Sequence, residues 1–238
     1  MSVGQKASEV EKIFVELQQQ IIRGDLPPGY RLVESQIAAQ FGVSRTPARL
    51  AIERLATAGL VAHETNRGAT VHQLSFDELR ELLHIRKINE GLTASMAAQK
   101  RSSEDIMLLK NTVAQMQRAL EGEDVTLYSS LSSKLHTQIM EIAGNRFLTD
   151  FVMRIYMITS PYHMAITSLP GRSEQSFQEH CTVVDAIIVG DSDTAYQAMV
   201  QHIGIIANFF DTEYSQIYYR YLDIKAQKKA QLRGKNES

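Results

Sequence analysis

The stretch ESQIAAQFGVSRTPARLAIERLATAG, residues 34–59, decides the fold of the N-terminal part of the chain. Glu34 to Phe41 is long enough for two helical turns. Gly42 follows, the residue type that leaves a helix most easily. Ser44 then occupies an N-cap position ahead of a second helical run. Pro47 is no obstacle there, because first-turn N–H groups have no partner inside the helix. Ala48, Ala51, Ile52 and Leu55 recur at helical spacing and predict one buried face. Arg45 and Arg49, four residues apart, share the opposite face. Two short helices joined by a glycine turn, the second presenting arginines, form the pattern of a helix-turn-helix.

The flanks extend this pattern. Upstream, Ser8 and Glu11 make an S-x-x-E capping box. Val10, Ile13, Phe14, Leu17 and Ile21 then predict a helix ending near Arg23–Gly24, with DLPPGYRL as a turn. Downstream, LVAHE, TNRG and ATVHQL predict a β-hairpin with its turn at Asn66–Gly68. A hairpin after a helix-turn-helix is a wing, so residues 1–74 are expected to form a winged helix-turn-helix domain. Arg45 and Arg49 lie in the first turns of its third helix, where base edges are met, and arginine reads guanine with two hydrogen bonds. Ser44 and Thr46 are short donors suited to phosphate oxygens. Arg67, beside Gly68 at the hairpin tip, is placed for phosphate or the minor groove.

Beyond Leu74 the periodicity is helical throughout. Ser75 and Glu78 form a second capping box, opening a long helix to about Lys100. Further helices are predicted over Ser103–Glu121, Asp124–Ala143, Arg146–Ser160 (ending before Pro161) and Ser173–Val189. A last one runs from after Gly190–Asp191 to about Ala226. Residues 75–226 thus predict an all-helical antiparallel bundle of six or seven helices, and 227–238 a polar basic tail. The fold class is mainly α.

Composition narrows the setting. No apolar run approaches the roughly 20 residues of a membrane span, and the early charges of MSVGQKASEVEKIF do not make a secretory signal. Cys181 is the single cysteine, which excludes an internal disulfide and fits a reducing cytoplasm. Net charge is −2. Residues 1–74 carry eight basic and seven acidic residues, residues 75–223 twelve and nineteen, and residues 224–238 five and one. Bulk attraction to nucleic acid is therefore excluded, and DNA binding must come from local placement of arginines.

One further stretch carries chemistry. In LSSKLHTQIMEIAGN, residues 131–145, Leu131, Leu135, Ile139 and Ile142 make an apolar stripe and His136 sits beside it. FQEHCTVVDAIIVGDSDTAYQAMVQHI adds His180 and His202 on the two helices that follow. A lone histidine at such an edge is a hydrogen-bonded core residue. Three converging in a bundle interior would make a facial tri-histidine metal site. His84 and His163 are rivals for such a role. Arg86, in R-x3-E with Glu90, is either a ligand for an effector carboxylate or half of an intrahelical ion pair.

GYRLVESQIAAQFGVSRTPARLAIERLATAGLV, with RGATV following, closely resembles the DNA-binding domain of the GntR family of bacterial transcription regulators. The resemblance implies DNA contacts from Ser44, Arg45, Thr46 and Arg49, and from the wing at Arg67 and Gly68. Ser35 stands where many members carry a phosphate-binding arginine; Arg31 is the nearest remaining candidate. The patterns L-H-x3-M-x-I-A-G-N, E-H-x3-V-x-A-I-x2-G-D-x3-A and M-x2-H resemble the FCD ligand-binding domain of the fatty-acid-regulator-like branch. That resemblance implies a homodimer and an effector pocket inside the bundle, often with Zn or a similar divalent ion. The family's metal ligands fall on His136, His180 and His202. Its fourth ligand, an aspartate one turn before the first histidine, is Ser132 here, and a neutral hydroxyl does not replace a carboxylate. Arg86, Tyr128, Ser132 and Arg172 are the candidate effector-binding residues.

The expected function is a ligand-responsive transcription regulator, not an enzyme. It would bind a palindromic double-stranded operator as a homodimer and respond to a small organic acid. The alternatives are a metal-dependent hydrolase using the three histidines and a helical interaction protein without DNA binding. The first lacks H-E-x-x-H, and Glu179 points about 100° away from His180 on a helix. The Arg45/Arg49 helix argues against the second.

Overall fold

A computed structural model of the chain describes residues 3–64, 68–167 and 169–210. They fall into two compact units that divide between Ser75 and Phe76.

The first unit starts with α1 (Val3–Ile22), which buries Val10, Ile13, Leu17 and Ile21. Its start precedes the expected cap at Ser8, so the S-x-x-E pattern lies inside the helix: Ala7 and Lys6 are good helix formers and give the chain no reason to stop at Ser8. α2 (Glu34–Phe41) ends at Gly42, whose left-handed φ of 66° no β-branched residue would adopt without strain. α3 (Arg45–Thr57) follows with Ser44 at its N-cap position, although the Ser44 side chain makes no capping hydrogen bond. Pro47, Ala48, Ala51, Ile52 and Leu55 are its buried residues, and they pack against α1.

The sheet has three strands in the order β1–β3–β2. β2 (Val61–Glu64) and β3 (Gly68–Val71) pair antiparallel from Val61↔Val71 to Glu64↔Gly68. β1 (Arg31–Leu32) joins the other edge of β3 through Arg31↔Thr70 and Leu32↔Ala69. The sequence reading placed these two residues in a turn, because a two-residue strand is too short to display alternation. Asn66 and Arg67 of the hairpin turn lie outside the described residues.

The second unit contains α4 (Phe76–Lys100), α5 (Ser103–Glu121), α6 (Val125–Ala143), α7 (Arg146–Thr167), α8 (Arg172–Val189) and α9 (Ser192–Phe210). Ser102 and Asp105 form a reciprocal capping box on α5, and the Asp124 side chain accepts from Leu127 N at 2.8 Å to cap α6. α7 does not stop at Pro161 as expected. The ring removes the N–H that would reach the Met157 carbonyl, and the Ser160 hydroxyl donates to that carbonyl instead, at 3.0 Å, so the helix continues to Thr167. The expected extension of the last helix to Ala226 and the polar tail lie outside the described residues. No described helix is long and apolar enough to cross a membrane.

α4 is the hub of this unit, packing on α6, α7, α8 and α9. It packs closely on α9 at Gly91. A Cβ there would lie 2.7 Å from Val200 Cγ2 and 3.0 Å from the Tyr196 ring. Gly91→Val should therefore destabilise the protein by about 1–3 kcal/mol through overpacking. Urea unfolding measures this; wild-type stability would show that α4 and α9 have room to spare.

Candidate functional site

α6, α8 and α9 each bury one histidine on the face turned into the bundle. His136, His180 and His202 are at most 2% exposed. The ring centroids of His136 lie 5.3 Å from those of both His180 and His202, and the last two are 4.3 Å apart. One ring nitrogen from each falls within 4.8 Å of the others. The structure thus brings together the three histidines that the sequence left on separate helices. His84 is exposed on α4, and the side chain of His163 lies outside the described residues.

Two carboxylates orient two of the rings. Glu90 Oε2 lies 2.6 Å from His136 Nδ1. Its other oxygen accepts from Arg86 Nε, and Arg86 Nη1 reaches Thr159 Oγ1 at 3.3 Å. The guanidinium carbon sits 4.5 Å above the centre of the Tyr156 ring. On the other side, Glu179 Oε2 lies 2.7 Å from His202 Nδ1. Arg172 holds that carboxylate with both terminal nitrogens, at 3.0 and 2.9 Å. An ionised carboxylate only accepts, so each of these Nδ1 atoms carries the proton.

Burial alone would raise the Glu90 carboxyl, but Arg86 and His136 outweigh it and hold its pKa at about 2. Burial also pushes Glu179 up; His202 and Arg172 outweigh it and leave the carboxyl below its usual range. Burial lowers His202 to about 4, against the pull of Glu179, so that ring is neutral at pH 7. The partners of His180 include three hydroxyls and the His136 ring. Its Nδ1 faces Tyr128 Oη and Ser176 Oγ, both at 3.4 Å. Its Nε2 faces Ser132 Oγ at 3.3 Å and His136 Nε2 at 3.2 Å.

The donor set fits a divalent cation. The three donors are imidazole nitrogens, two of them backed by carboxylates, which is how histidine ligands are held. His202 Nε2 is buried with no hydrogen-bond partner among the described residues, an unmet lone pair that a cation would satisfy. The fourth expected position, Ser132, supplies only a hydroxyl. Neither carboxylate is placed as a general base, since each is held by an arginine and a histidine.

The effector candidates cluster here as well. Tyr128 and Ser132 touch His180, while Arg86 and Arg172 stand behind Glu90 and Glu179. Of the two readings open for Arg86, the intrahelical ion pair is the arrangement present. Glu90 and Glu179 are the residues sequence reasoning missed as parts of the cluster. Glu90 was seen only as the partner of Arg86, and Glu179 only as a base facing the wrong way.

In the first unit, Arg31, Arg45 and Arg49 line one cleft of about 470 Å³ between α3 and the sheet. Gly68 and Ser35 complete that wall together with His63, an exposed residue of β2 that the sequence reading did not single out. Glu34 and Glu53 also border it, and Arg49 pairs loosely with Glu53 at 3.6 Å on the surface. Ser44 and Thr46 are exposed at the start of α3. Arg67 lies outside the described residues.

Comparison with known proteins assigns each unit. Residues 9–71 match the family described as bacterial regulatory proteins, gntR family, and residues 81–204 match the FCD domain. A "Probable D-xylose utilization operon transcriptional repressor" of Paenarthrobacter nicotinovorans is 29% identical over 202 residues, covering 83% of this chain and 85% of that protein. The HTH-type transcriptional repressor RspR of Escherichia coli K12 is 24% identical over 193 residues, covering 81% and 85%. The solved structure of E. coli McbR/YncC superposes with a TM-score of 0.76 at 19% identity, covering 90% of this chain and 98% of that one; at that identity the likeness is one of fold.

The buried ion pair gives a direct prediction. Glu90→Ala leaves the Arg86 guanidinium, 1% exposed, without its counter-charge and should cost about 3–5 kcal/mol. Replacing both partners, Arg86→Met with Glu90→Leu, should recover most of that loss. Urea unfolding of the two variants decides it; equal stabilities would mean that the charge of Arg86 is met some other way.

Proposed function

The chain belongs to the gntR family of bacterial regulatory proteins, in its FCD-domain branch, and on that premise we propose a homodimeric, effector-responsive regulator. Residues 1–74 form its DNA-binding domain, residues 75–226 its effector-binding and dimerisation domain, and 227–238 a basic tail. The observation that carries this reading is the convergence of His136, His180 and His202 inside the helical unit of a chain whose other unit gathers arginines in one cleft.

Each DNA-binding domain reads a half-site of a palindromic double-stranded operator. Arg45 and Arg49 contact base edges, and Ser44, Thr46, Arg31, Arg67 and Gly68 position the phosphate backbone. The helical domain supplies the dimer contact. In support, α4 leaves Ile85, Ile88 and Leu92 at 40%, 55% and 44% exposure, an apolar stripe at helical spacing. His136, His180 and His202 would hold a divalent cation, Zn or similar, which when bound would supply positive charge. The hydroxyls of Ser132 and Tyr128 would contact a small organic acid bound beside them, while Arg86 and Arg172 support the cluster through their carboxylates. Effector and operator affinities are then linked, each changing the other by the same factor.

Arg45→Ala and Arg49→Ala should each weaken specific operator binding by about 1–3 kcal/mol, with a smaller loss on random duplex. Ile88→Glu should yield monomers in sedimentation and lose the operator although both arginines remain. Operator affinity unchanged in both arginine variants rejects the recognition-helix assignment, and a dimeric Ile88→Glu protein rejects the dimer face.

Elemental analysis of purified wild-type protein should find about one divalent ion per chain. His202→Ala should remove it while leaving the DNA-binding domain folded. Metal-replete wild-type protein that contains none rejects the cation reading.

A further inference from the structure

We propose that the cleft between α3 and the sheet seats a phosphate of the DNA backbone, and that His63 of β2 holds this phosphate from the wing side. The inference rests on the DNA-binding reading above and adds a residue to it.

Strand register decides where His63 faces. It pairs with Ala69 of β3, and Ala69 pairs in turn with Leu32 of β1. Residues opposite one another across a sheet share a face, and so does Val61, two residues from His63 on β2. Val61, Leu32 and Ala69 are buried, at 4%, 5% and 8% exposure, so this is the face turned to α3. Leu32 and Ala69, with Ile52 of α3 at 2% exposure, form the apolar floor of the cleft. His63 continues the same face past Val61 to where it leaves the core, and is exposed there. Across the cleft, Arg49 and Arg45 stand about one and two turns ahead of Ile52.

The cations of this unit are sorted by place. Arg23 pairs with Glu16 and Asp25, and Arg54 pairs with Glu11 at 2.6 Å. At the cleft, no hydrogen bond or ion pair engages the side chains of Arg31, Arg45 or His63 among the described residues, and Arg49 makes a long contact to Glu53 at 3.6 Å. Three arginines on this rim face two glutamates, Glu34 and Glu53, so its balance favours an anion. The anion follows from the fold. The first turns of α3 enter a major groove, and the wing beside it reaches the adjacent minor groove. The ridge between two grooves is sugar–phosphate backbone. A side chain inside the crease between helix and wing therefore meets that ridge, not a base edge. An imidazole N–H donates to a phosphate oxygen in either tautomer. Such a contact fixes how the protein sits on the duplex without reading sequence.

Fluorescence anisotropy of the full-length protein tests this on two duplexes of equal length, an operator selected by the wild type from random sequences and a random duplex. His63→Ala, and His63→Val as a variant suited to a strand, both folded by circular dichroism, should bind each duplex roughly 3- to 10-fold more weakly. His63→Arg should restore both affinities. Methylphosphonates, placed symmetrically in the two half-sites of the operator, then remove one backbone charge at a time. At one position wild type and His63→Ala should bind equally well. A loss confined to the operator would make His63 a base reader and overturn the proposal. Wild-type affinity in His63→Ala and His63→Val overturns it too, as does a His63 effect that survives every methylphosphonate. Wild-type protein that binds neither duplex overturns the DNA-binding reading itself.

Discussion

Charge buried inside a helical bundle must be paired, and this constraint organises the second unit. Arg86 and Glu90 are each 1% exposed and Arg172 is 3% exposed. Removing such ions from water costs several kcal/mol each, so a buried pair is tolerated only with nearly ideal partners. Arg86 has the Glu90 carboxylate, the Thr159 hydroxyl and the face of Tyr156. Arg172 has both oxygens of Glu179. Each carboxylate has a lone pair left over, and each spends it on a histidine from a neighbouring helix. α4 is tied to α6 through Glu90 and His136, and α8 to α9 through Glu179 and His202. Sliding either helix pair by one residue would strand a buried charge. Pairs of this kind contribute more to geometry than to net stability, and geometry is what a cluster of ligating nitrogens requires.

Local rules made much of the fold legible. Gly42, Pro47 and the Ala48–Leu55 spacing fixed the helix-turn-helix, because each acts within one or two turns. The bundle helices followed from apolar periodicity and from their closing glycines. Errors arose where a distant or side-chain partner replaced a local rule. β1 exists because β3 offers it an edge, and two residues carry no periodic signal of their own. α7 passes Pro161 because the Ser160 hydroxyl takes over the orphaned carbonyl, a substitution visible only once the helix is built. The three histidines were legible as a set, since each sits beside an apolar stripe, but their carboxylates were not. Glu90 lies 46 residues from His136. Glu179 faces away from His180, which weighed against a catalytic role; that same rotation carries it to His202 on α9.

The arginines show how burial divides one residue type between two tasks. Arg31, Arg45 and Arg49 are exposed and line a single cleft, whose rim also carries Glu34 and Glu53. The one ion pair between Arg49 and Glu53 is long and solvated, so it is worth a fraction of a kcal/mol and is readily exchanged for a phosphate or a base. Arg86 and Arg172 are themselves buried and held by short contacts, which a solute exchanges far less cheaply. From sequence alone, R-x3-E at Arg86 and Glu90 fits either task. The degree of burial decides between them, and burial is a property of the assembled bundle.

That division bears on what the helical domain can recognise. The formal charges of Arg86 and Glu90 cancel, as do those of Arg172 and Glu179, and the His202 ring is neutral because burial lowers it to about 4. Ser132, at 0% exposure, adds no charge. A divalent cation held by the three imidazoles would thus keep its full charge among buried rings, and an ion so placed demands a counter-charge. Glu90 and Glu179 offset the charges of Arg86 and Arg172 there. The preference for an anionic effector would then come from the cation, so effector and cation would stabilise one another by the same factor. A neutral Ser132 hydroxyl beside the three imidazoles would leave that charge unopposed, whereas Ser132→Asp would offset part of it.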